Sequence, residues 1–204
     1  MENCTFYIFL CIKIGENMKN IAIFASGTGT NAENIIRYFS KNETIRVSVV
    51  LSNNQKVEVH TRVNKLGVPS FVFSREEFQE GKAVLKKLIE YNVDLIVLAG
   101  FMTKISAPLL EAFPNKIINI HPALLPKFGG KGMYGIHVHE AVVAAGEKET
   151  GITIHYVNSY YDEGEILFQA QCPVFSTDTP EDVAIKVHSL EYKYYPVVIE
   201  KLLQ

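Results

Sequence analysis

Ile21-Ala22-Ile23-Phe24-Ala25-Ser26-Gly27-Thr28-Gly29-Thr30-Asn31 is the stretch from which the architecture follows. Its five leading apolar residues do not alternate with polar ones, the pattern of a strand covered on both faces in a mainly parallel sheet. The glycines that follow make a tight turn, and Asn31–Phe39 reads as the crossover helix. Such a strand–turn–helix unit presents backbone N–H groups at the helix start, where they cradle an anion.

The same alternation of strand and helix continues outward from this unit. Arg46–Leu51 reads as a second buried strand, and Lys56–Leu66 as a helix closed by Gly67. Val68–Phe73 is a short strand, and Ser74 caps one charged helix over Arg75–Tyr91. Asp94–Ala99 is apolar enough to be a central strand; Ala107–Phe113 is a short helix and Lys116–Ile120 the next strand. The pattern then changes. Lys127–Gly135, with four glycines, reads as a mobile loop, and Ile136–Ala145 as a helix closed by Gly146. Gly151–Val157 alternates with period two and Glu165–Pro173 is extended, which predicts an antiparallel edge around Asp162-Glu163-Gly164. Thr179-Pro180-Glu181-Asp182 starts a last helix that runs toward Tyr194, where Pro196 is expected to kink or restart it. The expected fold class is α/β: a Rossmann-like, mostly parallel sheet with helices on both faces and an antiparallel C-terminal portion. Residues 18–204 form one domain. Residues 1–17 are expected to be an appendage, because the apolar run Phe6–Ile12 is far shorter than the roughly 20 residues of a spanning helix.

Composition narrows the partners. At 204 residues, 48% hydrophobic and 21% charged, the chain has the makings of one sizeable core. A net charge of −2 shows no basic bias, so neither nucleic acid nor an acidic membrane is an expected partner. An anionic ligand must be held by a local site. Three cysteines without metal-ligand spacing fit a reducing cytoplasm.

Gly27-x-Gly29 with Ala32 also satisfies the dinucleotide fingerprint, so an NAD(P)-binding oxidoreductase competes on this motif. That reading wants an acid at the end of the second strand to hold a ribose, and the chain has Ser52-Asn53-Asn54 there. A second motif decides more. In Asn119-Ile120-His121-Pro122-Ala123-Leu124-Leu125-Pro126, Asn119 and His121 lie two apart on a strand and share a face, and Asp162 follows about forty residues on. An amide donor suits an oxyanion, a histidine exchanges protons near neutrality, and a carboxylate beside it favours its charged form and orients it. A non-enzymatic small-molecule sensor leaves this convergence of three polar groups unexplained.

The string resembles Asn-x-His-Pro-(Ser/Ala)-Leu-Leu-Pro, the signature of the 10-formyltetrahydrofolate-dependent formyltransferases. The resemblance runs from about Met18 to the C-terminus. The chain lacks room for the added domains of the methionyl-tRNA and sugar-nucleotide members or of the related hydrolases, and is similar in size to members acting on 5-phosphoribosylglycinamide. It implies Asn119, His121 and Asp162 as catalytic residues and 10-formyltetrahydrofolate as co-substrate. Gly29, Thr30 and Asn31 match positions that grip the nucleotide's phosphate and ribose. His188, Ser189, Leu190 and Glu191 match the segment near its ribose and glycinamide end, with Glu191 the acceptor singled out. On the folate side the resemblance implies Arg75, Met102, Thr103, Lys104, Ile105, Asn119 and Asn158, with Asn158–Asp162 as a closing loop; Thr103 stands where the family usually has arginine. Small-molecule substrates and a monomer or homodimer are implied. No metal is expected: on a helix His137 and His139 diverge by about 200°. His155 reads as a packing residue more than a site residue.

Overall fold

The computed structural model describes residues 18–204, so the appendage expected at 1–17 lies outside the described residues. In chain order the elements are β1 (Lys19–Phe24), α1 (Thr30–Phe39), β2 (Ile45–Ser52), α2 (Val59–Asn64), β3 (Ser70–Val72), α3 (Arg75–Glu80) and α4 (Lys82–Glu90). They continue with β4 (Leu95–Leu98), α5 (Ala107–Ala112), β5 (Ile117–His121), α6 (Ile136–Ala144), β6 (Glu149–Tyr156), β7 (Ile166–Pro173) and α7 (Pro180–Leu203). One seven-stranded sheet has the order β3-β2-β1-β4-β5-β6-β7. Pairing is parallel as far as β5, and β6 and β7 are antiparallel. The expected mixed α/β architecture is what the chain adopts.

Alternation along β1 shows why its strand is apolar throughout. Ile21 and Ile23 enter one core, with α1 and α7, while Ala22 and Phe24 enter a second core with Phe78, Leu88 and Leu109 on the opposite face. Fully burying each such Ile or Phe contributes about 1.5–3 kcal/mol.

Three expectations need correction. The helix over Arg75–Tyr91 is two helices: Gly81 takes φ 76°, ends α3 and starts α4. The helix expected over Lys56–Leu66 is confined to Val59–Asn64; Gly67, at φ 75°, closes it as expected. Pro196 does not restart α7, which runs without interruption to Leu203. A proline leaves the carbonyl four residues earlier without its helical donor. That carbonyl, on Tyr192, instead accepts from Asn34 Nδ2 on α1 at 2.9 Å.

The order 3-2-1-4-5 puts a topological switch between β1 and β4, because the chain leaves β1 toward β2 and returns on its other side as β4. Open α/β sheets bind ligands at such a switch, outside the carboxyl ends of the strands. Tyr195 on α7 fixes the helix over this edge. Its buried hydroxyl donates to the Leu98 carbonyl at 2.9 Å, with the Ile118 carbonyl 3.4 Å away. Among the described residues no helix is long and apolar enough to cross a membrane.

Candidate active site

A cleft of about 530 Å³ opens at the switch. Its walls are the turn after β1, the segment after β4, the end of β5 and one face each of α6 and α7. Ser26 joins the first two walls: its N–H donates to the Gly100 carbonyl (3.1 Å), and its hydroxyl accepts from Met102 N–H (3.0 Å).

At one end lies the glycine turn. Gly29 has φ 77°, a conformation suited to glycine, and an added Cβ would lie 2.5 Å from Val59 Cγ2. Thr30 and Asn31 open α1, so their N–H groups face the cleft at the positive end of a ten-residue helix. Asn31 Nδ2 donates to Glu191 Oε2 at 2.8 Å, and the same oxygen accepts from His188 Nδ1 at 2.7 Å. This bond raises the His188 pKa against the opposing effect of its partial burial. Ser189 and Leu190, expected beside them, are not in the cleft. Residues three apart on a helix share a face and those between turn away; Ser189 donates back to the Ile185 carbonyl and Leu190 packs on the core.

At the other end, Met102, Thr103, Lys104 and Ile105 line the cleft, as do Asn158 and the exposed rings of Tyr160 and Tyr161. Lys104 Nζ lies 5.4 Å from the centre of the Tyr161 ring. Thr103 Oγ1 accepts from Asn53 Nδ2 at 2.8 Å, so the residue after β2, where a dinucleotide site wants an acid, is tied to this wall. Arg75 is exposed on the first turn of α3 and does not line the cleft.

Asn119, His121 and Asp162 meet between the two ends. Asn119 pairs with His155 across β5 and β6, and its Nδ2 lies 3.2 Å from His155 Nε2. His155 Nδ1 donates to the Tyr156 carbonyl at 2.8 Å, which holds its Nε2 between Asn119 and Asp162. The Asn119 amide carries two N–H donors and its contact with His155 takes at most one of them, so one remains for a ligand. His121 Nε2 donates to the Phe128 carbonyl at 2.7 Å, which leaves Nδ1 toward Asp162 Oδ2 at 3.6 Å. Asp162 Oδ2 also accepts from Gly130 N–H at 2.9 Å, and its Oδ1 is 3.6 Å from His155 Nε2. Burial pushes the Asp162 pKa up, but His155, His121 and the Gly130 N–H together bring it below its usual value. Burial also dominates at His121 and lowers its pKa, despite the opposite pull of Asp162 and the Phe128 carbonyl. The carboxylate thus favours the charged ring, while burial favours the neutral one.

The backbone of Phe128–Gly130 thus touches both His121 and Asp162. Phe128 is at φ 55° and Gly130 at φ 96°, so this turn is held in a left-handed conformation. Thr153 secures the preceding segment: its hydroxyl donates to the Ala123 carbonyl (2.7 Å) and accepts from Leu125 N–H (3.0 Å). His139 on α6 also lines the cleft; burial lowers its pKa, and its Nδ1 has no partner among the described residues. Asn31 Oδ1 is likewise buried and unpaired. Both residues line the cleft, though these two atoms are themselves buried beneath its surface. Sequence reasoning missed His139 and gave His155 to packing. Among the described residues, no group of three His, Cys, Asp or Glu is arranged to hold a metal.

Comparison with known proteins agrees with this geometry. A family model described as formyl transferase matches residues 19–199. A chloroplastic phosphoribosylglycinamide formyltransferase of Arabidopsis thaliana is 41% identical over 189 residues, covering 89% of this chain and 64% of that protein. The chain thus spans less than two thirds of the plant relative's length. The Bacillus subtilis phosphoribosylglycinamide formyltransferase is 38% identical, covering 91% of this chain and 95% of that protein. The crystal structure of the enzyme of that name from Anaplasma phagocytophilum superposes with a TM-score of 0.85 at 34% identity, over 92% of this chain and 88% of that one. With the motif, the cleft and the match over nearly all its described length in agreement, this chain belongs to the formyl transferase family.

Proposed function

We propose that this chain transfers the formyl group of 10-formyltetrahydrofolate to the amine of 5-phosphoribosylglycinamide, a step of de novo purine biosynthesis. One observation carries the reading: Asn119, His121 and Asp162 stand between an anion-cradling turn and a separate, partly apolar wall. A phosphorylated amine at Gly29–Asn31 and a pterin at Met102–Ile105 would bring their reactive ends together at these three groups. The substrates are small molecules, the chain acts as a monomer or homodimer, and the reducing cytoplasm is its proposed compartment.

The chemistry balances with these side chains. As the amine nitrogen bonds to the formyl carbon, the carbonyl electron pair moves onto oxygen, and the free N–H of Asn119 donates to that oxyanion. Neutral His121 takes the surplus proton of the attacking nitrogen on Nδ1, the ring atom that its bond to Phe128 leaves open. The imidazolium so formed lies 3.6 Å from the Asp162 carboxylate, which stabilises it as the charge develops. When the tetrahedral intermediate collapses, the carbon–nitrogen bond to the folate breaks and His121 returns the proton to the leaving nitrogen.

The test is direct: purified protein with both substrates, monitored for folate release and for the formylated nucleotide. Matched release of the two products is expected. Folate released without formylated nucleotide would favour a hydrolase, formyl transfer only to another amine would favour a different formyltransferase, and NAD(P) binding instead would favour an oxidoreductase.

A further inference from the structure

The segment that joins β5 to the turn at Phe128–Gly130 belongs to neither strand nor helix, yet Ala123 and Leu125 within it are buried. Buried backbone outside a ladder needs partners from elsewhere. Thr153 meets part of that need, and its hydroxyl is then full. Its one hydrogen goes to the Ala123 carbonyl, and its two lone pairs accept from Leu125 N–H and from Gln169 Nε2 at 2.9 Å. The second hydrogen of the same Gln169 amide reaches the Leu125 carbonyl at 3.0 Å. Both partners act as acceptors toward Gln169, so the amide presents its nitrogen inward. Gln169 lies on β7, the edge strand, directly opposite Thr153, which in turn lies opposite His121 on β5. The three residues form one row across the sheet and share a face.

The Leu125 carbonyl is a lever on the turn. Pro126 has no N–H, so the peptide group joining the two residues offers only that carbonyl as a polar handle. The Leu125 side chain also supports the turn directly. A Cβ on Gly129 would stand 2.5 Å from Leu125 Cδ2 and 3.3 Å from Asp162 Cβ, so the bare glycine is packed against both. On either side of Gly129, the Phe128 carbonyl accepts from His121 Nε2 and the Gly130 N–H donates to Asp162. We propose that Gln169 is a positioning residue for proton transfer: by holding the Leu125 carbonyl and the Thr153 hydroxyl it places the Phe128 carbonyl, and through it fixes the tautomer and aim of the His121 ring. The proposal rests on the proton-transfer role given to His121 above. It puts a determinant of the reaction on an exposed residue of the sheet edge, two strands or about 10 Å from His121.

Gln169→Leu keeps the bulk of the side chain and removes both donors, and Gln169→Glu keeps its shape while turning a carboxylate toward the Leu125 carbonyl. Gln171→Leu, exposed and two residues on along the same face of β7, is the control. Nitrogen-15 NMR of the His121 ring, identified by its absence from His121→Ala, reads the tautomer without reference to turnover. In the unaltered chain and in Gln171→Leu the neutral ring should carry its hydrogen on Nε2. In both Gln169 variants the two ring-nitrogen shifts should approach one another as the tautomers mix. Steady-state kcat for formyl transfer should fall about tenfold, short of the roughly hundredfold that a 1 Å misplacement costs, with KM for both substrates unchanged. Unshifted ring nitrogens in Gln169→Leu and Gln169→Glu, whatever their Tm, would overturn the proposal and leave Gln169 a brace of the sheet edge. A tautomer shift with kcat unchanged, or a rise in KM in place of the fall in kcat, would overturn it as well. If the unaltered chain transferred no formyl group, the reading of His121 would fall, and the ring-nitrogen shifts alone would decide whether Gln169 sets its tautomer.

Discussion

Gly164 lies against Tyr156 and His155, behind the proposed catalytic groups, and giving it a side chain tests how tightly they are braced. A Cβ there would overlap the Tyr156 carbonyl oxygen and lie 2.7 Å from that carbonyl carbon and 3.5 Å from His155 Nδ1. Ordinary carbon–carbon contact is about 3.5–4.0 Å, so Gly164→Ala requires a backbone shift of about 1 Å. The displaced carbonyl holds His155, and His155 holds Asn119. Overpacking of this kind costs about 1–3 kcal/mol. In a chain of this size, a loss near 2 kcal/mol lowers Tm by about 4–8 °C. Misplacing Asn119 by about 1 Å should in addition lower kcat about a hundredfold. Calorimetric melting and steady-state formyl transfer would be measured on Gly164→Ala, with Glu163→Ala, an exposed neighbour, as control. A lower Tm with kcat within a few-fold of the unaltered chain, less than an oxyanion donor is worth, would refute the idea that His155 braces Asn119 for the chemistry.

Four further outcomes are expected. His121→Ala should remove nearly all turnover while leaving the fold intact by circular dichroism, and Asn119→Ala should lower kcat on the order of a hundredfold. Asp162→Asn removes the charge that raises the His121 pKa, so the acid limb of the kcat profile should move to lower pH along with a slower rate; an unmoved limb would show that Asp162 does not govern His121. Gly29→Val combines a strained φ of 77° with a 2.5 Å approach to Val59 and should raise KM for the nucleotide strongly, with little effect on KM for the folate. His121 and His139 have depressed pKa values in the folded chain, so they bind fewer protons folded than unfolded. Their contribution to stability is full above the unfolded value of about 6.5 and is lost as pH falls through their folded values, so Tm should drop there and drop less in His139→Leu.

What was legible in the sequence is what local pattern encodes. The apolar run Ile21–Ala25 and its glycine turn specify a buried strand and an anion cradle within a dozen residues, and two-residue spacing on β5 suffices to put Asn119 and His121 in one cleft. The role of His155 was hidden because it depends on the register of β6 against β5, a pairing between residues 36 apart. Pro196 misled for the same reason, since the group that rescues the orphaned carbonyl is Asn34, far away in sequence. Reading His188–Glu191 as a block ignored the helical face, which keeps the two ends of that segment and turns Ser189 and Leu190 away. The sign of the His121 shift followed from burial, and only three-dimensional packing supplies that.

His121 and Asp162 are held by peptide groups of one turn: Phe128 contributes an acceptor to His121, and Gly130 contributes a donor to Asp162. Peptide groups persist through any substitution that keeps the backbone path, so the information this turn carries is its length and handedness rather than its chemistry. Surface drift at Lys127 or Lys131 leaves it untouched. Insertion of a single residue between Pro126 and Gly130 would move the carbonyl and the N–H out of step with their partners, releasing the imidazole from the tautomer that presents Nδ1. For anyone grafting this loop between relatives or shortening it in an engineered variant, residue count is the quantity to preserve.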